Sequence, residues 1–256
     1  MEPGTHSYGT LYGVGLGPGD PELMTVKAVR AIERTKVLAV PVKARGESSF
    51  ARAIMTEQIG PHHEVLELVF PMRSDPDFLK AYWRQAAETL SEYLLRGMDV
   101  AFLCEGDPFT FGTFIHVFRE LSAAHPELPV TVVPGVTAYN AAAARTLTPL
   151  AAGDDRVCVL PATYGVEIVG EMLERFDTVV LLKVKPVMDD LLTLLEEKGL
   201  TAHAVFVDRV GTPEERVERD VSVLAGKKLN YLSLVIARNP GREKEPVLRG
   251  CRKKTS

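Results

Sequence analysis

Short apolar runs alternate along the chain with longer segments whose apolar residues recur every three or four positions. The first run, Thr10-Leu11-Tyr12-Gly13-Val14-Gly15, predicts a strand ending in the turn Gly15-Leu16-Gly17-Pro18-Gly19-Asp20-Pro21. Asp20 as N-cap and Pro21 at the first helical position predict a helix there, with Met24, Ala28 and Ala31 on one face. Residues 37–40 predict a short buried strand stopped by Pro41. Residues 78–95 carry an apolar stripe of Leu79, Trp83, Ala86, Leu90 and Leu94, the signature of a helix ended by Gly97. Residues 100–104 and 130–133 predict two further buried strands. Strands separated by such helices imply βαβ units, and so a mainly parallel sheet flanked by helices.

The stretch Leu147-Thr148-Pro149-Leu150-Ala151-Ala152-Gly153-Asp154 breaks the alternation and reads as a linker. Beyond it come predicted strands at 157–160, 178–183, 204–207 and 232–237, and helices at 166–175 and 187–198. The expected fold is two α/β domains, residues 1–148 and 149–256. The charged stretch 241–256 is expected to fray.

Composition narrows the function classes. Of 256 residues, 46% are hydrophobic and 25% charged, the balance of a globular protein. With 30 Lys and Arg against 34 Asp and Glu, the net charge of −4 argues against a nucleic-acid partner, which calls for a basic surface. Three cysteines make no disulfide framework. No apolar run is long enough to span a membrane, and the polar start lacks a signal-peptide core, so the expected location is cytoplasmic.

Three turns follow predicted strands in the first half: residues 13–21, then Glu105-Gly106-Asp107-Pro108, then Pro134-Gly135-Val136-Thr137-Ala138. Each alone is ordinary punctuation. Together they would lie beyond the carboxyl ends of parallel strands, where open α/β sheets bind ligands and glycine lets backbone approach closely. The first turn does not fit the NAD fingerprint: its third glycine comes too early, and the second strand ends in Val40-Pro41 with no acidic residue for a ribose. It also lacks the Gly-Lys-Ser/Thr of a P-loop. A nucleoside without pyrophosphate suits it better.

These turns, in their order and spacing, resemble those of the tetrapyrrole (corrin/porphyrin) methylase family. The likeness covers nearly the whole chain: residues 13–23, Gly106-Asp107-Pro108 and Pro134-Gly135-Val136-Thr137. Val40-Pro41, Phe70-Pro71-Met72 ahead of Trp83, Lys183 and Tyr231-Leu232-Ser233-Leu234 are similar to the family's C-20 methyltransferases of precorrin-2 and cobalt-factor II in vitamin B12 synthesis. The resemblance implies a homodimer that binds S-adenosylmethionine in a cleft between its two α/β domains and releases S-adenosylhomocysteine. It implies Gly17, Pro18, Gly106, Asp107, Thr137, Ala138, Tyr231, Leu232 and Ser233 as cofactor-binding residues. Two departures stand out: Ala138 replaces the subgroup's usual serine, and Phe109-Thr110-Phe111-Gly112-Thr113 replaces a Tyr-Ser-Thr string, which removes a phenol and a hydroxyl.

Methyl transfer from a sulfonium to a meso carbon asks of the protein an in-line approach and an acceptor for the displaced proton. It asks for no protein-bound metal and no covalent nucleophile. Asp107 is the catalytic candidate: a base, a partner for the cofactor's amino-acid end, or a turn and helix cap. A carboxylate-ringed substrate needs local cations, for which Arg73, Arg145, Lys183, Lys185 and Arg209 are candidates beside their reading as solvated surface charges. Arg73, Lys183 and Arg209 are the choice, the last two because each ends an apolar strand. His62-His63 reads as a loop without further metal ligands, Cys104 and Cys158 as core, and Cys251 as exposed tail. Ser48-Ser49 reads as a loop or helix-start signal, and Thr212-Pro213-Glu214-Glu215 as a helix start. The rival functions are a methyltransferase acting on a modified protein side chain, as diphthine synthases do, and a non-catalytic nucleoside-binding module.

Overall fold

In a computed structural model, which describes residues 7–47, 49–56, 58–73 and 75–243, the first run forms β1 (Leu11–Gly15). Then follow α1 (Val26–Arg34), β2 (Val37–Val42), α2 (Phe50–Ile54), β3 (Glu64–Val69), α3 (Pro76–Leu95), β4 (Val100–Cys104), α4 (Phe114–Ala124) and β5 (Val130–Val133). These strands make one sheet, ordered β3-β2-β4-β1-β5, in which every pairing is parallel. A parallel sheet covered on both faces needs strands apolar at every position. β4 meets that need: Val100, Phe102 and Cys104 join the core layer that includes Leu90, Leu94, Phe114 and Val117, while Ala101 and Leu103 join that of Ala28, Ile32, Ala51 and Ile54.

The chain divides into two compact units, Met1–Ala138 and Tyr139–Ser256. After α5 (Ala138–Thr146), the second unit contains β6 (Val157–Pro161), α6 (Val166–Arg175), β7 (Thr178–Leu182), α7 (Met188–Glu197), β8 (Ala204–Asp208), β9 (Arg216–Glu218) and β10 (Ser233–Arg238). Its sheet is ordered β6-β7-β10-β8-β9 and is mixed: β6 and β7 are parallel, whereas β10 runs antiparallel to both its neighbours and β9 antiparallel to β8. Its own core includes Leu173, Leu181, Leu191, Leu195, Phe206 and Val235. Two α/β units are thus the observed fold.

Several elements depart from the reading of the pattern. Asp20 caps only a single 3-10 turn, Pro21–Leu23, by accepting the Glu22 N–H at 2.8 Å. The chain then extends through Met24, and Thr25 caps α1 afresh through the Ala28 N–H at 3.1 Å. Pro41 lies inside β2 instead of ending it, since β4 pairs only with Val37, Leu38 and Ala39 and leaves one side of the strand unpaired at Pro41. Lys183 falls just outside β7. Thr212 starts no helix; its hydroxyl accepts the Glu214 N–H at 3.3 Å in a local turn ahead of β9. Of the Ser48-Ser49 pair, Ser49 caps α2; Ser48, Cys251 and most of the charged tail lie outside the described residues.

Candidate functional site

Adjacent parallel strands β4, β1 and β5 deliver their following turns to one edge of the first sheet. Leu16 N–H donates to the Cys104 carbonyl at 2.9 Å. Gly17 and Gly106 then form an antiparallel bridge of their own, Gly17 N–H to Gly106 O at 3.3 Å and Gly106 N–H to Gly17 O at 2.8 Å. The third turn lies tightly against the other two. A Cβ on Gly135 would stand 2.1 Å from Gly106 O and 2.9 Å from the Gly15 backbone, so only glycine allows the approach. By contrast, a Cβ on Gly106 would meet nothing within 4 Å, and its φ of +67° is in the left-handed region.

Asp107 fastens this arrangement. Its Oδ1 accepts from the Phe109 N–H at 2.9 Å and the Thr110 hydroxyl at 3.0 Å, while Oδ2 accepts from the Gly135 N–H at 3.1 Å. One carboxylate therefore shapes its own turn and ties it to the third. Gly17 and Pro18 are buried, Thr137 is buried, and Ala138 is the first residue of α5. Glu105, passed over in the sequence pattern, stands between β4 and the Gly17–Gly106 bridge. Its side chain is open to solvent, yet the protein around the carboxyl weakens its hydration and pushes it up to about 7. Its carboxyl makes no hydrogen bond or ion pair among the described residues. Only the environment of the end of β4 gives that signal, so residue type and spacing could not have found it.

The departures near the second turn have structural consequences. Phe111 adopts φ 55°, strained for a bulky side chain, and is exposed; Phe109 is also exposed and touches Phe114 and Phe118, with ring centroids 5.9 and 5.5 Å away. Arg73 is exposed, with its guanidinium 4.6 Å from the centre of the Phe78 ring. His63 is occupied in its own loop, where Nδ1 accepts the Gly60 N–H at 2.9 Å and Nε2 lies 3.2 Å from Ile32 O. Cys104 is buried, which pushes its thiol up, and Cys158 is half-buried. No cluster of three or more His, Cys, Asp or Glu suited to a metal occurs among the described residues, and no described helix is long and apolar enough to cross a membrane.

In the second unit, Lys183 and Arg209 follow β7 and β8, the two strands that flank β10. Lys183 N–H donates to Ser233 O at 3.1 Å and Arg209 N–H to Leu232 O at 2.9 Å. The structure thus gathers four of the predicted site residues at the start of β10. Tyr231 beside them is 43% exposed, whereas Ser233 is buried, with its hydroxyl donating to Asn230 O at 2.8 Å. Arg145 is committed to Glu215 in an ion pair, and Lys185 is exposed.

The family described as Tetrapyrrole (Corrin/Porphyrin) Methylases matches residues 10–222. The chain is 34% identical over 250 residues to the cobalamin biosynthesis protein CobIJ of Mycobacterium bovis, covering 94% of this chain and 48% of that protein. It therefore spans about half the length of that relative. It is also 34% identical over 246 residues to a precorrin-2 C(20)-methyltransferase of Sinorhizobium sp, covering 93% of this chain and 98% of the relative. The solved structure of cobalt precorrin-4 methyltransferase, CbiF, shares the fold with a TM-score of 0.68 at 20% identity, covering 93% of this chain and 97% of that one.

Proposed function

Because the chain belongs to the tetrapyrrole (corrin/porphyrin) methylase family, we propose that it is an S-adenosylmethionine-dependent C-methyltransferase acting on meso carbon C-20 of precorrin-2 or cobalt-factor II in cobalamin biosynthesis. The observation that carries the reading is the knot of three turns at one sheet edge, held by the Gly17–Gly106 bridge and by Asp107. S-adenosylmethionine, when bound, supplies a methyl group already activated on its sulfonium.

The residues present fit that group. The open space over Gly106 admits a ligand close to the backbone, and Thr137 and Ala138 line the start of α5. Gly17, Pro18, Gly106, Asp107, Thr137 and Ala138 would hold the cofactor at the three turns. The Asp107 carboxylate has about four acceptor positions, three of them occupied, so one remains for an ammonium group. Glu105, with a carboxyl near half-ionised at neutral pH, suits an acceptor of the proton displaced from the meso carbon. Arg73, Lys183 and Arg209 would meet the substrate's acidic side chains. The reading includes a cytoplasmic homodimer that works without a protein-bound metal, nucleic acid or membrane.

The test is incubation with labelled S-adenosylmethionine and either precorrin-2 or cobalt-factor II, followed by mass analysis of the ring. One added methyl at C-20 is expected. Transfer to a protein acceptor and to neither ring would favour the side-chain-modifying alternative. In the same assay Asp107→Asn should weaken S-adenosylhomocysteine binding while preserving turnover at saturation, and unchanged cofactor affinity would remove Asp107 from the cofactor site.

A further inference from the structure

Phe111 is unfavourable where it stands in two respects. Its φ of 55° lies in the left-handed region, where a side chain as bulky as phenylalanine is strained. Its ring is also 47% exposed and touches no other aromatic ring among the described residues. Glycine would take this conformation without strain and without an exposed apolar surface, yet the position carries a phenyl ring.

Strain of this kind persists only where the surroundings fix it, and here they do. On one side Asp107 Oδ1 accepts from the Phe109 N–H and the Thr110 hydroxyl, and the Thr110 N–H donates to Asp107 O at 3.3 Å. On the other, a Cβ on Gly112 would stand 3.2 Å from Pro108 O, so the chain beyond Phe111 closes tightly on the turn. α4 then begins at Phe114, whose buried ring fills the space over Gly13, where an added Cβ would lie 2.4 Å from it. Phe109 is held as well. Its ring, 49% exposed, rests on Phe114 and Phe118, and Phe114 lies 5.4 Å from Phe102 in the core. Aromatic packing thus runs from the core of the first unit into the loop between β4 and α4, the loop that also carries Glu105 and Asp107.

A rigid phenyl ring open to solvent offers a flat apolar face, and the ligand that matches it offers a flat face in return. A puckered ring meets that face over less area and gains less. The face of a macrocycle, unlike its carboxylates, changes with its conjugation.

We propose that Phe111 is a specificity-determining residue, whose ring lies along the face of the macrocycle and selects a flat, conjugated ring over one puckered by saturated meso bridges. This deepens the reading above and rests on it for the identity of the ligand.

The test compares two probes with the same carboxylates and different shapes. Uroporphyrin is flat and conjugated, and uroporphyrinogen is the same ring with its meso bridges saturated. Each is titrated into the full chain by calorimetry without oxygen. Wild type should bind uroporphyrin roughly fivefold more tightly than uroporphyrinogen. Phe111→Leu keeps an apolar side chain and the strained backbone but not the ring. It should abolish the preference by weakening uroporphyrin roughly fivefold, with uroporphyrinogen and S-adenosylhomocysteine within about twofold of wild type. Phe111→Tyr should retain the preference. Phe111→Gly should lose it while unfolding at a urea concentration no lower than wild type, because it releases the backbone strain. A merely structural role predicts the reverse, lost stability with the preference retained.

Weaker S-adenosylhomocysteine binding in Phe111→Leu would assign the ring to the cofactor and overturn the proposal. An unchanged preference in that variant would overturn it even if C-20 methylation is found. If neither precorrin-2 nor cobalt-factor II is methylated, a flat-ring preference that Phe111→Leu abolishes would uphold the role of Phe111 without the proposed reaction. Wild-type protein that binds neither probe, or both equally, would overturn it.

Discussion

Glu105 shows how far a residue's chemistry can depart from its type. Its ordinary carboxyl value is 4.5, and in the folded chain it is about 7. Between those values the unfolded carboxyl is ionised while the folded one keeps its proton, so the native state binds more protons and stability falls as pH rises through that window. Glu105→Gln should remove this slope. In urea unfolding, the variant should gain on wild type as pH rises from 4.5 to 7, and the difference should be flat on either side. A difference that does not change across the window would contradict the desolvated environment. Asp107 illustrates the other limit of a sequence reading. Its residue type and its turn pointed to a polar role, but the donor it takes from Gly135 N–H comes from a turn 28 residues away, which local pattern does not encode.

At the scale of elements, apolar runs that are buried on both faces were legible. β1, β4, β5 and β7, and α6 and α7 with them, lie within one residue of where the pattern put them. Most of what the pattern missed lacks a strong period or length; α4 is the exception, unread although its buried Phe114, Val117 and Leu121 recur at helical spacing. α5, Ala-Tyr-Asn-Ala-Ala-Ala-Ala-Arg-Thr, is helical through alanine propensity and has almost no apolar stripe. β3 is an edge strand with one fully buried residue, Leu68, and β9 spans three residues. The three turns could be ranked as a set from sequence, but not the reason for each glycine. Gly135 exists for contact between turns, as Gly106 O and the Gly15 backbone occupy the space a side chain would need. Gly135→Ala should therefore destabilise by about 3 kcal/mol or more, whereas Gly106→Ala, with open space and only a left-handed φ to resist, should lose about 1–2 kcal/mol. Equal urea midpoints for the two variants would mean that the turns can move apart freely.

At the scale of the whole molecule, each sheet is closed over its own core, and the pairings of the first are the more distant in sequence. β1 lies between β4 and β5, with Leu11 opposite both Val100 and Val130. Long-range pairing of this kind slows folding relative to helix formation. On dilution from urea, helical circular dichroism should recover before S-adenosylhomocysteine binding does. Recovery of both in one exponential would show that the turns assemble with the helices.

That central position of β1 also has a meaning in time. During synthesis β1 is made well before its neighbours, since at about 5–20 residues per second β4 follows it by roughly 5–20 s and β5 comes later still. Until then β1 exposes two unpaired edges, a template for wrong partners that its short length and three glycines within residues 11–17, Gly13, Gly15 and Gly17, help to blunt. The glycines that let the turns meet in the finished protein are thus also what keeps β1 from sticking before its neighbours have been made.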